Sequence, residues 1–357
     1  MNSKERIINI LERKPVDRIP VDMWHTPEVE NALKHHVGTD DNFKMWKKLG
    51  VDKIVWVFMD YKTPEGTNTG SQPGTTTAGD RTMWGVPLRD IQAGAAHYQE
   101  FGEPPMKRYT SPEHVDNYSF WPDPELFDYE SAINLAKRAS DDFAVIGPWV
   151  SLFEIYCQLR SIQQGLTDIL EYPDFVISIL DRIEAIQTEM LRRFLDRASQ
   201  YLDLVFISDD LGDQNNLLIS PQDWEYYLKP RMERWCSLIH SYGLKVFYHT
   251  DGASERLIAP LIECGIDVLN PIQHVCPGME MSALKKKYGD KVIFHGGVDN
   301  QYVLPFGSTE EVRQETLNCL ETLGKGREGF ICCSCHNIQV GTPLENIIAM
   351  IDTVRSW

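Results

Sequence analysis

Short apolar runs of strand length, separated in the later part of the chain by amphipathic stretches of helical period, narrow most what this sequence can fold into. The runs are RIPVDMW (18–24), IVWVFM (54–59), FAVIGPW (143–149), LVFIS (204–208), KVFYH (245–249), DVLNP (267–271), VIFHG (292–296) and GFICC (329–333). Between the later ones lie PDFVISILDRIEAIQTEMLRRFLDRAS, DWEYYLKPRMERWCSLIHSYG, ERLIAPLIECG and STEEVRQETLNCLETLG, several ending at glycine as helix C-termini tend to. Continuous apolar strands alternating with helices imply a parallel sheet buried on both faces. Eight such units predict a (β/α)8 TIM barrel rather than an open sheet.

The stretch from Tyr61 to about Ser140 breaks the alternation. It is rich in Gly, Pro, Thr and Asp and reads as a long insertion after the second strand, with room for a small hairpin, placed to cap the barrel mouth. No linker divides the chain, so residues 1–357 are expected to form a single barrel domain, a size that α/β barrels reach. A net charge of -17 without an acidic tail excludes unassisted binding to nucleic acid or to an anionic membrane. The N-terminal MNSKERIINILERKP lacks the apolar core of a signal peptide, and no run of about 18 apolar residues occurs, so a cytoplasmic protein is expected. Eight cysteines are too sparse for a disulfide scaffold, and three crowd into CCSCH (332–336).

In such a barrel the chemistry gathers where the strands end, and the residues there are polar and chemically capable. The first run is followed by Trp24 and His25, the second by Asp60 and Tyr61, the third by Trp149 with Glu154 nearby, and the fourth by Asp209, Asp210 and Asp213. The remaining four end in His249 and Asp251, in Asn270, Gln273 and His274, in His295 and Asp299, and in Cys333, Cys335 and His336. His249 and Asp251, two apart on extended chain, share a face. They are either two ligands of a zinc ion, with a third from CCSCH, or a hydrogen-bonded pair orienting substrate. Asp209 and Asp210 begin a loop that either caps a helix or supplies a base and a substrate contact. His295-Gly296-Gly297 reads as a close-approach turn whose histidine is either core-satisfied or catalytic. The aromatic set that includes Trp24, Trp56, Phe58 and Trp149 is core by default, with members near strand ends able to wall a pocket. A P-loop, a G-x-G-x-x-G after a strand and a G-x-S-x-G elbow are lacking, which leaves nucleotide and serine-hydrolase chemistry without support.

KERIINILERKPVDRIPV, DDLGDQNNLLISPQDWEYYLKPRMERW, HTDGA, IDVLNPIQ, VIFHGGVDNQYVLPFGSTEEV and HNIQVGTPLENI, in this order and spacing, resemble the uroporphyrinogen decarboxylase superfamily along nearly the whole chain. The resemblance implies a (β/α)8 barrel with its site at the C-terminal mouth. It also implies two chemistries to choose between. The decarboxylases hold a porphyrinogen with an arginine pair after the first strand; here that segment reads RIPVDMWHTPEVE, and only Asp60 stands roughly where their catalytic aspartate follows the next strand. The zinc-bearing, corrinoid-dependent methyltransferases carry His-x-Cys after the fifth strand and a further Cys after the last. Here the first motif is His249-Thr250-Asp251, and the last cysteine falls on His336 with Cys335 adjacent. HTDG with HNIQ is similar to members acting as the first methyltransferase of anaerobic O-demethylase systems.

What the resemblance implies is a methyltransferase moving a methyl group from a small methylated donor, an aryl methyl ether foremost, to cob(I)alamin on a partner corrinoid protein. His249, Asp251, His336 and Asp210 are its expected catalytic residues. His249, Asp251, His336 and Cys335 are the expected ligands of a zinc ion. Trp24, Asp60, Trp149, Asp209, Gln273 and His295 are expected to line the substrate site. The alternatives are a lyase acting on a small carboxylate and a non-catalytic module that binds a tetrapyrrole or a corrinoid protein.

Overall fold

The computed structural model describes residues 1–62, 68–69, 80–93 and 96–357. Among the described residues there are eleven strands: β1 (Ile54–Trp56), β2 (Tyr61–Lys62), β3 (Asn68–Thr69), β4 (Leu88–Ala93), β5 (Ala96–Phe101), β6 (Ala144–Val150), β7 (Leu204–Ser208), β8 (Lys245–His249), β9 (Val268–Asn270), β10 (Ile293–Val298) and β11 (Phe330–Ser334). Seven of them form one curled parallel sheet in the order β1-β6-β7-β8-β9-β10-β11. Each of the seven comes from one of the apolar runs. β6, β7, β9, β10 and β11 are buried at every residue, as strands covered on both faces must be.

The covering helices follow the expected pattern. The helix Pro173–Ala198 starts with proline at its first turn and buries Phe175, Ile179, Ile183, Ile186, Met190 and Phe194, three or four residues apart on one stripe. No helix among the described residues is long and apolar enough to cross a membrane.

The first apolar run does not form a ladder strand. Val21 makes a single parallel bridge to Cys332, through Asp22 N to Cys332 O (2.8 Å) and Cys332 N to Pro20 O (3.0 Å). On its other side, side chains replace the ladder. Asp52 N donates to Val21 O, but Val21 N donates to the Asp52 carboxylate (3.0 Å) and Ile54 N to the Asp22 carboxylate (3.1 Å). Buried Asp52 is in turn held by Arg6 (2.5 Å) and Arg18 (2.6 Å).

Of the 61–140 stretch, residues 63–67, 70–79 and 94–95, which include most of the Thr/Gly patch, lie outside the described residues. β2 pairs with β3, and β4 with β5 in an antiparallel hairpin. The end of the stretch is a regular helix, Tyr129–Ala139, buried at Tyr129, Ala132, Ala136 and Ala139. Its apolar stripe is made of small alanines, which is why the periodicity was faint enough to read as a break.

Candidate functional site

β8 and β9 run side by side with His249 opposite Asn270, the last residue of each. That register joins two buried polar groups at the carboxyl end of the sheet: His249 Nδ1 lies 2.5 Å from Asn270 Oδ1. Asn270 Nδ2 lies 2.8 Å from His295 Nδ1 on β10, and His295 Nε2 lies 3.1 Å from Asp22 Oδ2. Asp22 also receives Trp24 Nε1, Lys53 and Ile54 N. Burial alone raises the Asp22 carboxyl, but Lys53 and His295 more than offset this and hold it below the usual carboxylate range. His295 is lowered, chiefly by complete burial, although Asp22 pulls the other way.

The other edge of His249 looks outward. Its Nε2 lies 3.7 Å from Asp210 Oδ1 and 3.9 Å from Asp251 Oδ1, while His336 Nε2 lies 4.0 Å from Asp251 Oδ2. Trp24 lies beside this group, its ring 5.7 Å from His249, 6.4 Å from His336 and 4.5 Å from Trp56. Phe58 packs on Trp56 at 5.1 Å, and both are half-buried. The group therefore combines imidazole and carboxylate with aromatic faces next to it.

Local backbone chemistry places Asp251. Gly252 turns the chain at φ +83, and a Cβ there would run into the backbone of Gly212 and the carbonyl oxygen of Asp213. Gly252 N donates to Gln273 Oε1 (2.9 Å), and Asp251 N donates to Asp210 Oδ1 (3.1 Å). Gln273 and Asp210 thus brace the loop carrying Asp251. Asp213 folds its own turn by accepting from Asn215 and Asn216.

Several expected site residues sit elsewhere. Asp209 is buried, and its Oδ1 accepts from Ser151 Oγ (2.8 Å), Leu152 N (3.0 Å) and Glu154 N (3.0 Å), the work of a cap on the helix Phe153–Arg160. Burial pushes its carboxyl up to about 7 against those bonds. Cys335 is not in the group with His249: its buried thiol points to Ile272 O at 3.4 Å, and burial raises it well above the usual thiol range. His295 is fully buried and bonded on both nitrogens, a link behind the site rather than a substrate contact. Trp149 is a buried position of β6 opposite Phe206. Asp60 is exposed, its carbonyl oxygen taken by Asp128 N. Gly296 and Gly297 form no turn; both lie within β10 at positive φ, packed against Pro271 and Cys319. His274 pairs with Glu315 at 2.7 Å, and Asp299 accepts from Gln301 N.

Three residues without an assigned role in the sequence prove informative. Asp22, an acid inside an apolar run, was the visible signal for the buried chain, and Asn270 its middle link. Glu154, bonded by Ser208 Oγ, is pushed up to about 8 by burial and by the charges of Asp210 and Asp209.

Among the described residues, two groups of three could hold a metal ion: His249, Asp251 and His336, and the buried set Asp22, His295 and Cys333. In the second, Lys53 already neutralises Asp22, and both nitrogens of His295 are bonded. The first fits better. Nitrogen and oxygen ligands of zinc stand roughly 3.3 Å apart when each is about 2.0–2.2 Å from the ion. One ligand atom from each of the three residues lies within 4.8 Å of the others, and Asp251 and His336 are half-buried side chains at the edge of the group. Three protein ligands leave the fourth position open.

A sequence model of the uroporphyrinogen decarboxylase (URO-D) family matches residues 96–357, well over half of the chain. No curated protein matches by sequence. Among solved structures, a methyltransferase from Methanosarcina mazei superposes with a TM-score of 0.67 at 15% identity, covering 100% of this chain and 99% of its own. Dispersin B superposes with a TM-score of 0.40 at 12% identity over 95% and 98% of the two chains, too distant to bear on fold or chemistry.

Proposed function

The chain belongs to the uroporphyrinogen decarboxylase family, and on that premise we propose that it is a methyltransferase taking a methyl group from a small methylated donor, foremost an aryl methyl ether, to the cob(I)alamin of a partner corrinoid protein. The observation that carries this reading is the His249–Asp251–His336 group beside an aromatic wall. The likeness in fold to the Methanosarcina methyltransferase supports it. We also take the sheet to close as a (β/α)8 barrel, with residues 20–22 bridging β11 and the segment before β1.

The chemical difficulty in cleaving a methyl ether is the leaving oxygen, since a phenolate departs poorly unless its charge is met. His249 Nε2, the Asp251 carboxylate and His336 Nε2 would hold a zinc ion, which when bound supplies Lewis acidity toward that oxygen. The protein's own residues do the rest. Trp24, Trp56 and Phe58 offer faces for an aromatic ring. Asp210 and Gln273 hold the Asp251 loop in place. The nucleophile is the partner's cobalt, so none is needed in this chain. The replacement of both family cysteines by Asp251 and His336 exchanges soft ligands for harder ones, suited to an oxygen rather than a thiol.

Incubating the purified protein with a panel of aryl methyl ethers and cob(I)alamin, and following methylcobalamin absorbance with release of the phenol, tests the reading. Carbon dioxide release without methyl transfer would favour the lyase instead, and neither activity across the panel would leave the binding module. Metal analysis of protein purified without chelator is expected to find about one zinc per chain, lost in His249→Ala.

A further inference from the structure

We propose that Asp22, His295 and Asn270 form a proton-ordering chain that fixes the tautomer of neutral His249, placing its hydrogen on Nδ1 and turning the lone pair of Nε2 to the site. Asp22 sets the direction. It is fully buried, and its Oδ1 takes Lys53 (3.2 Å) and Ile54 N (3.1 Å) while its Oδ2 takes Trp24 Nε1 (3.1 Å) and His295 Nε2 (3.1 Å). A carboxylate only accepts, so the hydrogen of His295 is on Nε2. A second hydrogen on Nδ1 would add a buried cation where Lys53 already balances the one carboxylate. His295 Nδ1 is therefore an acceptor, and Asn270 must turn its NH2 toward it, at 2.8 Å. That leaves the amide oxygen of Asn270 facing His249 Nδ1 at 2.5 Å, and an amide oxygen likewise only accepts. Each orientation is ambiguous taken singly; the carboxylate at the far end removes the ambiguity from all of them.

The consequence lies at the mouth. In that tautomer His249 Nε2, between Asp210 at 3.7 Å and Asp251 at 3.9 Å, presents its lone pair to the site. The neutral tautomer is thereby the one a metal ligand needs, and Asp22, His295 and Asn270 are positioning residues acting through it. The inference concerns the site of the proposed function and rests on that reading only for what the lone pair is used for.

The full-length, metal-free protein labelled with 15N-histidine decides it by NMR, with the His249 signals identified by their loss in His249→Gln. At a pH where the ring is neutral, a protonated Nδ1 and a bare Nε2 on His249 are expected; a neutral ring with its hydrogen on Nε2 in the wild type overturns the proposal without any variant. Asp22→Asn supplies a second readout. Lys53 and Ile54 N keep the amide oxygen on their side, so the new NH2 faces His295, and the order of hydrogens should reverse through Asn270 to His249. Cobalt(II), titrated as a probe by its visible bands, should then bind about tenfold to a hundredfold more weakly. A folded Asp22→Asn variant that keeps both the tautomer and the affinity also refutes the chain. Absence of methyl transfer, with the tautomer as expected, would refute the proposed function and leave this inference standing.

Discussion

Asp209 distinguishes most sharply what a residue at a strand end can be for. If it caps the helix Phe153–Arg160, as its three bonds indicate, Asp209→Ala strips the acceptor from Ser151 Oγ, Leu152 N and Glu154 N at once. Each buried donor left without a partner costs about 1–3 kcal/mol, and relief of the buried carboxyl offsets part of it, so a loss of roughly 3–6 kcal/mol is expected. That is a large share of the roughly 5–15 kcal/mol that holds a domain together. Asp209→Asn keeps an oxygen for the three donors and should lose far less. The carboxyl is also pH-dependent. Its folded-state value of about 7 lies above the ordinary 3.8, so the stability it contributes is complete below about 4 and is lost as pH rises through about 7. The wild type therefore loses up to about 1.4 kcal/mol per pH unit across that window, and Asp209→Asn does not, so the variant gains on the wild type between pH 5 and 8. Urea denaturation of all three proteins at both pH values measures this. Equal losses in the Ala and Asn variants, or an Asn variant that is stable but has lost methyl transfer, would refute the capping assignment and restore Asp209 to the substrate site.

Three further outcomes are expected. Gly252→Ala sets a side chain at φ +83 against the backbone of Gly212 and Asp213; it should cost about 1–3 kcal/mol in denaturant unfolding and weaken zinc binding by moving Asp251, and unchanged zinc affinity by calorimetry would separate the turn from the site. Glu154 is raised to about 8, so its contribution to stability is present below about 4.5 and lost as pH rises through about 8; Glu154→Gln should raise the melting temperature relative to the wild type at pH 9 more than at pH 5, and a pH-independent difference would contradict the burial argument. Asp168 and Arg160 are both fully buried and joined by two bonds, so Asp168→Ala, which leaves the guanidinium unpaired, should destabilise by about 3–5 kcal/mol; a chemical-denaturation loss under 1 kcal/mol would show that the pair is dispensable.

Much of the architecture was legible because strands buried on both faces must be written as apolar runs. Seven of the runs became the parallel sheet, and His249, Asp251 and His336, singled out as strand-end residues, converge in space. The first run defeated the same logic, since the carboxylates of Asp22 and Asp52 take amides that a ladder would have used. Cys335 next to His336 looked like a ligand by adjacency, but the chain bends after β11 at these two residues, and the Cys335 thiol went to Ile272 O. Asp209 and Asp210, adjacent in the same manner, divided into a buried helix cap and a brace for the Asp251 loop.

Sequence by itself determined the periodicities, and with them the parallel sheet, the covering helices, and the level at which polar residues gather. It also determined which ligand types are on offer, because the imidazoles of His249 and His336 and the carboxylate of Asp251 are visible without any fold. Tertiary structure alone decided which polar groups meet. Register set His249 opposite Asn270, and the packing of β10 beside β9 brought His295 to Asn270 and, from far away in the chain, to Asp22. Hydrogen bonds act over about 3 Å and depend on direction, and neither property is encoded in the spacing of residues along a strand.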